Sequence, residues 1–331
     1  MTTTTRRRFL RQTFAFSALS SATWPGHSSA AAAAVPAPGA IAEAQHLLAI
    51  GDWGADRSLD RQRAVAQAMQ SYTRDKALRT SALLMLGDNF YGPFEGGVSC
   101  PRWRTQFEEM YPRSAFDCPC YAMLGNHDYH EEPASKPDDQ LAYAAKGGTR
   151  WTLPAKWYRF DLPSATFLVL DSNYRKPQKG KGGLKEEEKA AQLAWLKAEL
   201  ARPRTTPFLI VLAHHPLYSN GVHGDSSTLI EAWEPLFRQH GVHLYLCGHD
   251  HDLQHLELDS HPTSFVVSGA GGTGLTDIQK DPKKRGRFSQ KVQGFTHLEL
   301  SPQRLTLRHV DTDGQVLHAF SKTPEGKVVI L

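Results

Sequence analysis

The 331-residue chain reads as an α/β protein on three observations. Short apolar runs end in glycine-marked turns, amphipathic stretches lie between several of those runs, and side chains with ligand chemistry follow them directly. Apolar runs bounded by glycine are the pattern of strands buried on both faces. Alternation with helices places the functional loops at the carboxyl ends of those strands.

In chain order, residues 46–50 form the first predicted strand and deliver Asp52 in Gly51-Asp52-Trp53-Gly54. Residues 59–76 follow as a helix, with Val65, Ala68 and Met69 on one face. The strand 82–86 delivers Asp88 and Tyr91 in Gly87-Asp88-Asn89-Phe90-Tyr91, and 121–124 delivers Asn126 in Gly125-Asn126-His127-Asp128. A second helix spans 186–201 (Ala190, Leu193, Trp195, Leu196, Leu200), before a strand at 208–212 that leads to Ala213-His214-His215-Pro216. The third helix, 228–240, has Ser226 and Ser227 ahead of it as cap residues. Strand 242–246 then leads to Gly248-His249-Asp250-His251. Strands at 295–300, 304–310 and 316–320 are expected to complete a second sheet of the same domain.

Asp52, Asp88, Tyr91, Asn126, His214, His249 and His251 combine two carboxylates, a phenol, an amide and three imidazoles. That set suits a pair of hard or borderline cations, with no thiolate needed. Taken singly, Gly-Asp at a strand end is most often a turn, and Gly-Asn-His-Asp an Asx-type turn. Five such segments in one order shift the balance to a metal site. In an extended segment His249 and His251, at i and i+2, point the same way and serve two neighbouring metals.

The ordered motifs GDWG, GDNFY, GNHD, AHHP and GHDH resemble those of the purple acid phosphatases, within the calcineurin-like metallophosphoesterases. The similarity is closest to their small, mammalian-type, tartrate-resistant group and runs from about residue 44 to about 272, taking in Val267-Ser268-Gly269-Ala270-Gly271. Many members of the wider superfamily carry Asp-X-His in the first motif; this chain has Asp52-Trp53-Gly54 and offers Tyr91 instead. The resemblance implies two packed mixed β-sheets flanked by helices, a four-layer αββα sandwich. It implies a binuclear centre in which Asp52, Tyr91 and His251 hold Fe(III). Asn126, His214 and His249 would hold a divalent Fe, Zn or Mn, and Asp88 would bridge. The implied activity is hydrolysis of small phosphate monoesters through in-line attack by a metal-bound hydroxide.

By the same resemblance His127 and His223 flank the substrate as proton donor or phosphate binder. The family's acidic residue before the second of these is Val222 here, which removes a neighbouring negative charge and one reason to expect an acid optimum. Two alternatives keep the metals: a phosphodiesterase acting on nucleotide or lipid head-group diesters, and a catalytically silent metal-binding protein. His127 beside Asn126 weighs against the latter. His215 is either a support for the site or a structural residue. His243, His255, His297, His309 and His318 fall in ordinary strand patterns; Asp128 and Asp250 could orient imidazoles, with turn formation as the default.

At the N-terminus, Thr5-Arg6-Arg7-Arg8-Phe9-Leu10-Arg11 resembles a twin-arginine export motif, followed by an apolar stretch (14–22) and an alanine run (30–34). Residues 1–34 are therefore expected to be a signal peptide read by the twin-arginine export machinery. Residues 35–43 would be a Pro/Ala-rich linker and 44–331 a single domain, periplasmic or secreted. The apolar stretch is too short and interrupted for stable membrane insertion. The first 34 residues contain four of the 38 basic residues and none of the 34 acidic ones, so the remainder is formally neutral. With no aromatic-basic stripe, nucleic acid is not an expected partner. Of the four cysteines, Cys120 and Cys247 are expected as packed thiols, whereas Cys100 and Cys118 are candidates to pair.

Overall fold

The computed structural model describes residues 44–331 apart from 56, 131–132, 175–181 and 282–284. The expected signal peptide and linker lie outside the described residues. From Gln45 the chain runs β1 (Gln45–Ile50), α1 (Asp60–Asp75), β2 (Thr80–Met85), β3 (Cys120–Ala122), α2 (Asn126–Tyr129), α3 (Lys136–Ala145) and β4 (Trp151–Thr152). It continues through β5 (Tyr158–Leu162), β6 (Ala165–Val169), α4 (Glu186–Ala201), β7 (Phe208–Leu212), α5 (Ser227–His240) and β8 (Leu244–Cys247). The remaining strands are β9 (Leu253–Leu256), β10 (Ser264–Ser268), β11 (Phe288–Gln290), β12 (Gly294–Leu300), β13 (Leu305–Asp311), β14 (Val316–Lys322) and β15 (Val328–Ile330).

These strands form two mixed sheets, one ordered β15-β14-β13-β12-β1-β2-β3-β4 and the other β11-β9-β10-β8-β7-β6-β5. Period-two alternation explains how they pack. Phe208, Ile210 and Leu212 of β7 join Leu244, Leu246 and Val266 in the core shared with the first sheet. The intervening Leu209 and Val211 face Leu196 and Leu200 of α4 and Trp233 and Phe237 of α5. Both faces of β7 are thereby buried, as its unbroken apolar run requires. Each fully buried aliphatic side chain contributes roughly 1.5–3 kcal/mol of transfer free energy. Residues 42–331 form one compact unit. The four cysteines are free and buried, so Cys100 and Cys118 do not pair. Among the described residues no helix is long and apolar enough to cross a membrane.

Two expectations need correction. The C-terminal strands do not complete a second sheet: β12 pairs antiparallel with β1 and extends the first one. The β1–α1–β2 unit occupies only one edge of β1, leaving the other for the β12–β13–β14 meander. At α5, Ser226 takes the cap position, but no side-chain cap hydrogen bond forms there. The helix instead ends in a left-handed Gly241 (φ 61°).

Candidate metal centre

Loops from both sheets meet at one edge through main-chain bonds. Gly51 N–H donates to Ser268 O (2.7 Å), Asp52 N–H to Gly87 O (3.0 Å) and Gly248 N–H to His214 O (2.9 Å). All seven predicted ligands converge there, and they fall into two groups. Around the Tyr91 hydroxyl lie Asp88 Oδ2 (2.9 Å), Asp52 Oδ1 (3.0 Å) and His251 Nε2 (3.1 Å). Around His214 Nε2 lie Asn126 Oδ1 (3.1 Å), His249 Nδ1 (3.3 Å) and Asp88 Oδ1 (3.4 Å). Asp88 stands between the groups and turns one oxygen toward each.

Backbone conformation departs from the sequence-based expectation. Asp52 (φ 58°), Asp88 (φ 50°) and His249 (φ 73°) all occupy the left-handed region, which is unfavourable for residues with a Cβ. In Gly51-Asp52 it is thus the aspartate, not the glycine, that takes the strained position. Such strain concentrates at functional sites held by their surroundings. The segment Gly248–His251 is consequently bent, not extended. His249 and His251 reach different groups because the chain turns at His249, and not through an i, i+2 alignment. Close approach explains two neighbouring glycines. A Cβ at Gly125 would meet Asp88 Oδ1 at 2.2 Å, and one at Gly248 would meet Asp52 Oδ2 at 2.5 Å.

Imidazole orientation is fixed from behind. His214 Nδ1 bonds Leu86 O at 2.9 Å and His251 Nδ1 bonds Gly274 O at 2.6 Å, which turns both Nε2 atoms inward. Main-chain N–H groups of His127 (2.7 Å) and His249 (2.8 Å) donate to Asp88 and Asp52.

This donor set fits a pair of cations. A phenol has one proton, yet three acceptor atoms crowd the Tyr91 oxygen. Burial, and then Asp52 and Asp88, push the Tyr91 hydroxyl well above its usual range, so only a strongly charged ion would displace its proton. Burial pushes the Asp88 carboxyl up, but His214 and His127 outweigh it and hold it far below the usual carboxylate range. Against their own burial, carboxylates draw His214 up to about 10 and His251 to about 9. His249 is driven well below 6.5 by burial and by the surrounding histidines, which leaves it neutral with a lone pair to give.

The two outer histidines occupy opposite flanks. His127 packs over Tyr91 with ring centroids 4.2 Å apart, and His223 packs over His249 at 4.2 Å. The sequence left His223 short of a carboxylate at position 222. The structure supplies one from elsewhere: Asp250 Oδ1 lies 2.7 Å from His223 Nδ1. Asp250 is therefore more than a turn former. His215 bonds Ser172 Oγ through Nδ1 (2.8 Å) and lines a cavity beside His249.

Comparison with known proteins fits this geometry. Residues 46–253 match the calcineurin-like phosphoesterase family. Rabbit (Oryctolagus cuniculus) tartrate-resistant acid phosphatase type 5 is 33% identical over 82% of this chain and 88% of its own. The chain belongs to the calcineurin-like phosphoesterases, in their tartrate-resistant and purple acid phosphatase group. Purple acid phosphatase 3 of Arabidopsis thaliana is 26% identical over 83% of this chain and 77% of its own. Among solved structures, purple acid phosphatase PPD1 of yellow lupin superposes with a TM-score of 0.65 at 18% identity, covering 85% of this chain and 54% of that one. The Plasmodium protein GAP50, an anchor in the inner membrane complex, reaches 0.70 at 22%, covering 83% and 87%. Identities this low speak for the fold alone.

Several residues that organise this phosphoesterase site escaped sequence reasoning. Buried Lys136 donates to the carbonyls of Phe90 (3.0 Å), Gly92 (3.0 Å) and His127 (2.8 Å), clamping two ligand loops. Arg102 does the same for the first two loops, reaching Tyr91 O (2.6 Å) and Gly54 O (3.1 Å). Neither sits in a ligand motif, and a lysine or arginine in a loop-rich stretch reads as solvated. Asp128 accepts from Gly125, Asn89, Phe90 and Gln140, a role visible only once those loops are folded together.

Proposed function

We propose that this chain is a binuclear-metal phosphatase of small phosphate monoesters. Asp52, Tyr91 and His251 would hold Fe(III); Asn126, His214 and His249 would hold a divalent Fe, Zn or Mn; and Asp88 would bridge them. The observation that carries this reading is the position of Asp88, whose two oxygens face the Tyr91 and His214 groups separately. A phenolic ligand favours the harder, more highly charged ion, and the neutral Asn126 amide leaves its side with less negative charge. When bound, the metals supply Lewis acidity toward a phosphoryl oxygen and a water made acidic enough to attack phosphorus.

The chain's own groups do the rest. The N–H groups of His127 and His249 fix the carboxylates of Asp88 and Asp52, and the carbonyls of Leu86 and Gly274 hold two imidazoles in register. His127 and His223 stand over opposite ligand groups, where each has an imidazole for a phosphoryl oxygen or the departing alkoxide. The sequence alternatives separate in one assay. Purified, metal-replete protein is expected to hydrolyse p-nitrophenyl phosphate well above bis-p-nitrophenyl phosphate. A diester preference, or no turnover with both metals present, would reject the monoesterase. A visible tyrosinate–iron band and two metals per chain by elemental analysis are the companion measurements.

For location, the Arg6-Arg7 motif and the following alanine run support export of the folded, metal-loaded enzyme by the twin-arginine route. Replacing Arg6 and Arg7 by lysine is expected to trap unprocessed chain in the cytosol. Equal export of that variant would reject the route.

A further inference from the structure

Asp250 has no place among the metal ligands assigned above, yet its side chain is 0% exposed and aimed at His223, whose side chain is 39% exposed. One carboxylate oxygen faces His223 Nδ1 at 2.7 Å and also accepts the His223 main-chain N–H at 3.2 Å. The other takes the Ser219 hydroxyl. That hydroxyl is itself fixed, accepting from Gly221 N–H (2.9 Å) and Gln254 Nε2 (3.0 Å). The fit is close: a Cβ on Gly221 would meet Asp250 Cγ at 2.5 Å. His223 also lines a cavity of about 110 Å³ together with Ser172, Tyr174, His215, Thr228 and His249. Val222, 44% exposed, takes no part in this arrangement.

We propose that Asp250 is the positioning residue of His223: it locks the imidazole with Nδ1 turned inward and Nε2 presented to the cavity beside His249, where the ester group of the substrate enters. The inference rests on the role given to His223 in the proposed function. A half-exposed imidazole on a loop samples several rotamers. Two hydrogen bonds to one immobile carboxylate oxygen, itself braced by Ser219, replace that search with one geometry, the condition for a group that must meet a reacting atom. The same turn that sends His249 and His251 to the metals thereby also sets a ring on the substrate side.

A double-mutant cycle tests it: wild type, Asp250→Asn, His223→Gln and the double variant, each with its metal content measured. Asp250→Asn is expected to lower kcat about 10- to 100-fold. It should retain both metals, leave KM within about twofold, and cause no further loss in the His223→Gln background. Independent, multiplicative losses in the double variant would overturn the positioning role alone. A His223→Gln enzyme with wild-type kcat would overturn both the role of His223 and the positioning built on it. If Asp250→Asn loses metal or fails to fold, Ser219→Ala completes the same cycle, because it loosens Asp250 without replacing the residue between His249 and His251. Its smaller kcat loss is expected to vanish beside His223→Gln, and a loss that persists there overturns the proposal.

Discussion

The Asp128 carboxylate receives the main-chain N–H of Asn89 through both of its oxygens, at 3.1 and 3.2 Å. It accepts Gly125 N–H at 2.8 Å as well, so one buried side chain ties the Asp88 loop to the Asn126 turn. Replacement by alanine would strand several buried donors, each costing about 1–3 kcal/mol. Asp128→Ala is therefore expected to lose at least about 3 kcal/mol of stability and to bind metal more weakly. Urea denaturation and metal titration measure both, and a variant with unchanged midpoint and affinity would refute the tie.

Lys136 poses a related test. Its ammonium is buried and donates to three carbonyls on two ligand loops. Hydrogen bonds to charged groups are worth roughly 1.5–3 kcal/mol each, and the methylene stem fills the same space in methionine. Lys136→Met is expected to lower the unfolding free energy by about 2–4 kcal/mol, read from the urea denaturation midpoint, while keeping the fold, seen as an unchanged circular dichroism spectrum. A neutral effect would mean that the loops hold themselves.

Tyr91 supplies a spectroscopic prediction. Because it is the only phenol in the ligand set, Tyr91→Phe is expected to remove the visible band of the metal-loaded protein. On the proposed assignment, Asp52, Asp88 and His251 would remain to hold iron, weakened but measurable by elemental analysis. A band that survives the substitution places the iron elsewhere.

Acid stability follows from histidines outside the candidate ligand set. Burial, then Arg308, holds His297 down at about 3, and burial with neighbouring histidines does the same for His309. In the unfolded chain both return to about 6.5. Between pH 6.5 and 3 the unfolded chain binds protons that the folded chain refuses, so stability is complete above about 6.5 and falls as pH drops. At pH 5 the loss is roughly 2 kcal/mol per residue. The thermal midpoint is expected to fall steeply from pH 7 to 5, with a shallower fall in His297→Asn. Identical slopes in the two proteins would exclude His297 as a source.

The converging candidate ligands were legible because each follows an apolar strand and carries its chemistry in a short motif. Helices 186–201 and 59–76 appeared within a residue of their observed bounds because their apolar spacing is regular. Three features were hidden for physical reasons. The left-handed φ of Asp52, Asp88 and His249 leaves no mark on composition, since the strain is imposed by contacts from distant segments. The pairing of β12 with β1 joins residues some 250 positions apart, and strand patterning carries no label for the partner. The clamps formed by Lys136 and Arg102 look like surface charge until the carbonyls they collect are brought to them.

Asp52, Asp88, Tyr91 and Asn126 hang from the sheet built on β1, whereas His214, His249 and His251 hang from the sheet built on β7 and β8. The meeting of the two groups of donors therefore depends on how the two layers pack against each other, through Ile210, Leu246 and Val266 in the interlayer. Enlarging or shrinking any of these residues is expected to alter turnover from a distance, with no polar atom touched. Tuning such an enzyme begins in its oil, well away from its ions.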